Sequence, residues 1–292
     1  MSFGRLITAM VTPFDEQLNI DWETTGRLID YLIDEQKSES LVVSGTTGES
    51  PTLSDEEKVE LFRFAVKHAA GRCKIIAGTG SNETAHSVQL TKKAEQAGVD
   101  GILLVAPYYN RPTQEGIYQH FRTIAEATTL PVILYNVPSR TVVSMSVETT
   151  LRLAQIPNIV ATKECASLSQ MTEIVSGAPE GFILYSGDDA VTLPTLSIGG
   201  YGIISVASHV VGAKMKQLID AYLEGRVHDA KKLNEECYPY FNGLFNCPHP
   251  VPNPVAVKYS LSLRGIPVGG VRLPLVDVNE EEATFLRKLN EL

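Results

Sequence analysis

The chain has few of the residues that build stapled or metal-bound folds. Among 292 residues there are four cysteines, six histidines and one tryptophan. Cys73, Cys165, Cys237 and Cys247 form no CxxC pair and no zinc-finger spacing, which leaves free buried thiols in a reducing compartment as the expectation. The histidines show no HExxH or other ligand spacing, so no metal site is expected. No run of apolar residues is long enough to span a membrane, and the opening MSFGRLITAMVTPF is too short an apolar stretch for a signal peptide. It reads better as a first strand, and a cytoplasmic location is the expectation. The formal net charge of −9 and the absence of a basic run exclude a general nucleic-acid footprint. An anionic small molecule would instead need a local positive site. With 43% hydrophobic and 20% charged residues, the chain has ample material for a buried core.

Short apolar runs alternate with longer helical patterns. The runs are RLITAMVT (5–12), SLVVSG (40–45), CKIIAG (73–78), GILLVA (101–106), PVILYN (131–136), NIVATK (158–163), FILYSG (182–187) and GIISVA (202–207). Helical periodicity is expected over 21–36, 54–71 and 82–98, with Ser54 and Glu57 forming a capping box and Gly71 and Gly98 as stops. Nearly uninterrupted apolar strands fit a sheet buried on both faces, and strict β/α alternation implies parallel strands with right-handed crossovers. Eight such units predict a (β/α)8 barrel over residues 1–225, although counting strands leaves an open doubly wound sheet as the alternative. Residues 226–292 are predicted to be a helical extension packed on the barrel. They include helical patterns over 227–246 and 279–292 and the proline-rich CPHPVPNP (247–254).

A barrel of this type carries its chemistry at the C-terminal ends of its strands. That rule selects Gly45-Thr46-Thr47-Gly48-Glu49 after the second strand, Tyr108-Tyr109 after the fourth, and Tyr135 through Thr141 after the fifth. It also selects Lys163-Glu164, Gly187-Asp188-Asp189 and Ile204-Ser205 at the last three strands. Lys163 closes an otherwise apolar run, where desolvation favours a neutral, nucleophilic amine able to form a Schiff base with a ketone. The bland alternative is a buried ion pair with Glu164. Tyr135 could pass protons to that amine, or simply pack the barrel. The GTTGE turn could hold a carboxylate in backbone N–H groups, and Arg140 could bind one through its guanidinium; a tight turn and a surface ion pair are the commoner fates. GTTGE lacks the lysine of a P-loop and GTGSN (78–82) lacks the third glycine of a dinucleotide fingerprint, so no nucleotide cofactor is expected. Asp188 and Asp189 are expected to be helix caps.

With those residues in place, the chain resembles the dihydrodipicolinate synthase branch of the N-acetylneuraminate lyase superfamily over nearly its whole length. The resemblance rests on VTPF (11–14), GTTGES (45–50), AGTGSNET (77–84), PYYNRP (107–112), LYNVPSRT (134–141), TKE (162–164) and SGDD (186–189). It implies a TIM-barrel lyase that condenses pyruvate with L-aspartate 4-semialdehyde in lysine and diaminopimelate biosynthesis, with no metal or organic cofactor. By that resemblance Lys163 is the Schiff-base lysine and Tyr135 its proton relay. Thr46 links Tyr135 to Tyr109, which reaches into a neighbouring subunit of a homotetramer built as a dimer of dimers. Thr47 holds the pyruvate carboxylate and Arg140 that of the second substrate. Gly187 and Ile204 line the second substrate's site and the lysine pocket.

Two departures from the family pattern stand out. The residues after Lys163 read Glu164-Cys165-Ala166-Ser167-Leu168, which is expected to alter the pocket floor slightly; the usual PNPxPVK appears as PNPVAVK (252–258), preceded by an extra proline-rich CPHPV, which is expected to affect packing more than chemistry. In addition, Asp55, Lys58 and His86 stand where strongly inhibited relatives bind lysine, and Lys58 would repel that effector. The alternatives to the main reading are another pyruvate-dependent aldolase of the superfamily and a non-catalytic pyruvate-binding barrel.

Overall fold

The computed structural model describes residues 2–292. Eight strands pair in parallel, each with its sequence neighbour, and β1 closes on β8. They are β1 (Leu6–Ala9), β2 (Ser40–Val43), β3 (Lys74–Gly78), β4 (Gly101–Val105), β5 (Val132–Asn136), β6 (Ile159–Glu164), β7 (Ile183–Ser186) and β8 (Gly202–Ser205). The sheet is therefore a closed barrel rather than an open one. Each strand falls within an expected run or overshoots its end by one residue, and most are shorter than the run. β2 stops at Val43 because Ser44 takes a left-handed φ of 58°, which no strand can continue through.

The helices are α1 (Trp22–Asp34), α2 (Asp55–Ala69), α3 (Thr84–Gln96), α4 (Gln114–Ala125), α5 (Pro138–Thr141), α6 (Val147–Leu153), α7 (Leu168–Gly177), α8 (Thr192–Ser197), α9 (Ser208–Leu223), α10 (Val227–Gly243), α11 (Val255–Leu263) and α12 (Glu280–Asn290). Sequence signals set several of their ends. Asp21 caps α1 by accepting from the Thr24 N–H, and the Ser54–Glu57 capping box starts α2. α2 ends at Ala69, Ala70 takes a left-handed C-cap and Gly71, the expected stop, follows it at φ 80°. Residues 255–263, within the expected helical extension but not among its named helical patterns, form α11, whose apolar residues Val255, Ala256, Val257 and Leu261 are buried.

Alternation along the strands sorts the core into two layers. Ile7, Ala9, Val42, Ile76, Leu103, Ile133, Ala161 and Ile204 fill the barrel interior together with Tyr135 and Tyr185. The other faces of the strands pack against the helical ring, and one continuous cluster runs from Leu6 and Leu41 through Phe62 and Phe121 to Tyr240, Val255 and Leu286. Residues of the C-terminal helices thus share the outer core of the barrel. Among the described residues, no helix is long and apolar enough to cross a membrane.

Candidate active site

The register of β5 on β6 places Tyr135 opposite Lys163. Both side chains point into the barrel, and the Lys163 ammonium nitrogen stands 4.3 Å from the centre of the Tyr135 ring. Lys163 is buried and makes no ion pair or hydrogen bond among the described residues. Burial lowers its pKa below the usual lysine range, offset in part by Cys165 and Asp189. Burial also pushes the Tyr135 phenol well above its ordinary range, so it stays protonated and able to donate or accept. The Thr46 and Cys165 side chains act on that same phenol.

The alternative of a Lys163–Glu164 pair fails on strand geometry. Successive residues face opposite sides, so Glu164 points out of the barrel. There its Oε1 accepts from Asn136 Nδ2 at 2.9 Å and from the Ala166 N–H at 2.9 Å. Its Oε2 has no partner, and burial raises its pKa to about 7. A lysine amine enclosed by the barrel without a carboxylate partner is poised as a nucleophile rather than as an ion-pair member.

A cavity of about 590 Å³ opens at the C-terminal rim; Tyr135 lines it, whereas Lys163 behind that ring does not. Thr46, Tyr135 and Arg140 line it, with Gly45, Gly80 and Tyr108. Arg140 extends from the one-turn helix α5, is exposed, and pairs with no carboxylate among the described residues. Two left-handed residues bound the GTTGE turn, Ser44 just before it at φ 58° and its own last residue Glu49 at φ 55°. Between them, the Thr46 and Thr47 N–H groups donate to no acceptor among the described residues. Strained backbone around unpaired N–H groups is a form anion-binding loops take.

The remaining predicted residues divide. Gly187 abuts Lys163: a methyl group there would lie 2.8 Å from Lys163 Cε and would overlap Cys165 Sγ. Ile204 belongs to the interior cluster around Tyr135. Thr47 is buried and takes no part in lining the cavity; its hydroxyl faces Asn253. Tyr109 lies outside the cavity, 88% exposed and held at φ 72°, while its neighbour Tyr108 faces in.

Asp188 does cap a short 3-10 turn, accepting from the Ala190 N–H. Asp189 is no cap. It is fully buried, and its carboxylate accepts from the Val206 and Ala207 N–H groups at 3.2 and 2.8 Å and from the Ser205 hydroxyl at 2.5 Å. It ties the β7 loop to the end of β8, a role that local sequence could not signal. Cys165 is half-buried between Gly187 and Tyr135, and burial raises its thiol to about 11. The other three cysteines are buried, and all four are free. At the outer end of the cavity, Lys58 lies 3.9 Å from Asp55, which also pairs with His86 at 2.9 Å.

The model of the dihydrodipicolinate synthetase family matches residues 2–291. The chain belongs to that family. It is 55% identical to the 4-hydroxy-tetrahydrodipicolinate synthase of Bacillus subtilis (strain 168), over 98% of each chain. It is 56% identical to the enzyme of that name from Symbiobacterium thermophilum, over 99% of this chain and 97% of that one. Among solved structures, a dihydrodipicolinate synthase from Bacillus anthracis superposes with a TM-score of 0.96 at 49% identity, covering 100% of this chain and 98% of that one. The family membership and the closed barrel agree with the expectation drawn from the motifs.

The crowding of Gly187 against the Lys163 stem has a measurable consequence. Gly187→Ala is expected to displace the lysine stem and lower turnover by roughly 10–100-fold in a steady-state assay. Adding Cys165→Ala, which clears one of the two clashes, is expected to restore part of the loss. Unchanged turnover in Gly187→Ala would mean that Lys163 is not held by that contact.

Proposed function

We propose that the protein is a Schiff-base aldolase that condenses pyruvate with L-aspartate 4-semialdehyde to give 4-hydroxy-tetrahydrodipicolinate, a step of lysine and diaminopimelate biosynthesis. The observation that carries this reading is the buried, unpaired Lys163 amine against Tyr135, which lines a cavity together with Thr46 and the free guanidinium of Arg140. Kinship with proteins named for that synthesis supports the choice of substrates.

The neutral amine of Lys163 attacks the pyruvate ketone carbon, and Tyr135 moves the protons that let water leave. The resulting iminium draws electrons from the methyl C–H bond, and loss of that proton gives an enamine. Thr46 orients the Tyr135 hydroxyl, while Thr47 and its loop hold the pyruvate carboxylate. Arg140, at the mouth, takes the carboxylate of the second substrate. The enamine carbon attacks the aldehyde, and the amino group of that substrate then displaces Lys163 as the ring closes. Gly187 and Ile204 shape the pocket around the lysine and the second substrate. The lysine supplies the electron sink, so the proposal needs no metal or organic cofactor. A sugar-acid aldolase would share Lys163 and Tyr135 but has no use for Arg140. Assay of the purified protein with L-aspartate 4-semialdehyde and with sugar aldehydes separates the two: turnover with the first is expected, and turnover with sugars alone would overturn the assignment.

The same reading makes the protein a cytoplasmic homotetramer, a dimer of dimers. Free thiols suit a reducing compartment. The 88% exposure of Tyr109, on strained backbone next to the site, suits a side chain that completes a neighbouring subunit's proton relay. Tyr109→Phe is expected to lower turnover about 10-fold or more while changing pyruvate half-saturation less. Sedimentation would check that the assembly is retained. Full turnover in the variant would remove Tyr109 from the relay.

A further inference from the structure

The GTTGE loop is gripped from behind by the C-terminal segment. Asn253, at the end of the proline-rich stretch, is 7% exposed and donates from Nδ2 to the Thr47 hydroxyl oxygen at 2.9 Å. One residue past the loop's second glycine, the Glu49 carboxylate accepts from the Arg272 N–H at 2.9 Å and from Lys258 Nζ at 3.0 Å. Lys258 also donates to the Gly270 carbonyl. The Thr47 hydroxyl has one hydrogen, and that hydrogen has no acceptor among the described residues. Asn253 Oδ1 is likewise without a partner.

We propose that Asn253 is a positioning residue for the 2-oxoacid carboxylate: by donating to Thr47 Oγ1 it keeps the threonine's only hydroxyl hydrogen for the substrate. The inference rests on Thr47 as the carboxylate-holding residue. A hydroxyl that already accepts a hydrogen bond is also a stronger donor, so the two bonds reinforce one another. The proline-rich segment thereby acts on substrate binding as well as on packing. No side chain of that segment need touch the substrate.

The test is a double-mutant cycle on pyruvate saturation. Asn253→Ala is expected to raise the pyruvate KM roughly 5–10-fold, with kcat and the aldehyde KM within about twofold of the parent. In a Thr47→Val background the same change is expected to add less than about twofold, because the hydroxyl through which it acts is gone. Asn253→Asp keeps the side-chain shape but offers only acceptors, turning the Thr47 hydrogen backwards. It is expected to raise the pyruvate KM at least as much, and it carries the test if the alanine variant does not fold. Equal effects of Asn253→Ala with and without the Thr47 hydroxyl would overturn the proposal, as would parallel losses in kcat and in both KM values. If Thr47→Val raises the pyruvate KM and neither Asn253 variant does, this inference alone fails. If Thr47→Val leaves it unchanged, the carboxylate role of Thr47 fails and takes this inference with it.

Discussion

Lys163→Ala is expected to lower turnover by about 10³-fold or more, since it removes the nucleophile and the electron sink together. Lys163→Arg is expected to be as inactive. It keeps a positive charge at the site but cannot form an imine, so it separates covalent catalysis from electrostatic attraction for the substrate. The same substitution should leave the fold intact. Lys163 is buried without a carboxylate or hydrogen-bond partner, and burial disfavours its charged form. Its removal therefore relieves a desolvation cost, and thermal melts of Lys163→Ala are expected to match or exceed the parent. A variant that lost activity by unfolding would contradict that, and an active Lys163→Arg would contradict the covalent role.

The second large effect concerns stability. Lys258 and Glu49 form an ion pair with side chains 2% and 1% exposed, and burial lowers the Lys258 pKa despite the neighbouring carboxylate. Lys258→Met removes one partner and leaves the Glu49 carboxylate buried against a single backbone N–H, a change that costs about 3–5 kcal/mol in pairs of this kind. Melting at a fixed scan rate is expected to show a fall in Tm of roughly 10 °C. The exposed Lys74–Asp100 pair, at 2.7 Å with side chains 52% and 30% exposed, is the contrast. Lys74→Met is expected to cost less than about 1 kcal/mol. Comparable shifts for the two would show that burial does not set the worth of the Lys258 pair.

What could be read from the sequence was what is local or periodic. The apolar runs placed all eight strands, and Ser54 with Glu57 marked a helix start because the signal is confined to one turn. Lys163 was legible because a cation ending an apolar run is anomalous wherever the chain folds. Asp189 was misread as a cap, since the groups it binds lie 16–18 residues further on, across a strand gap. Asn253 and Lys258 stood out only as members of PNPVAVK, with nothing in the sequence to say what they bind. Their partners Thr47 and Glu49 stand 206 and 209 residues away, and only barrel closure brings the C-terminal segment behind the β2 loop. The left-handed backbone of Ser44, Glu49 and Tyr109 was hidden because none is glycine, so residue type gives no sign of it. The Lys163–Glu164 pairing stayed open until the strand register put the two side chains on opposite faces.

The most direct measurement is to incubate the protein with pyruvate, reduce with borohydride, and locate the adduct by peptide mass spectrometry. Reduction turns an imine into a stable secondary amine. A pyruvate-derived adduct on the peptide carrying Lys163, absent from Lys163→Ala, is the result the account predicts. A folded protein that yields no adduct, or one modified at another lysine, would contradict it.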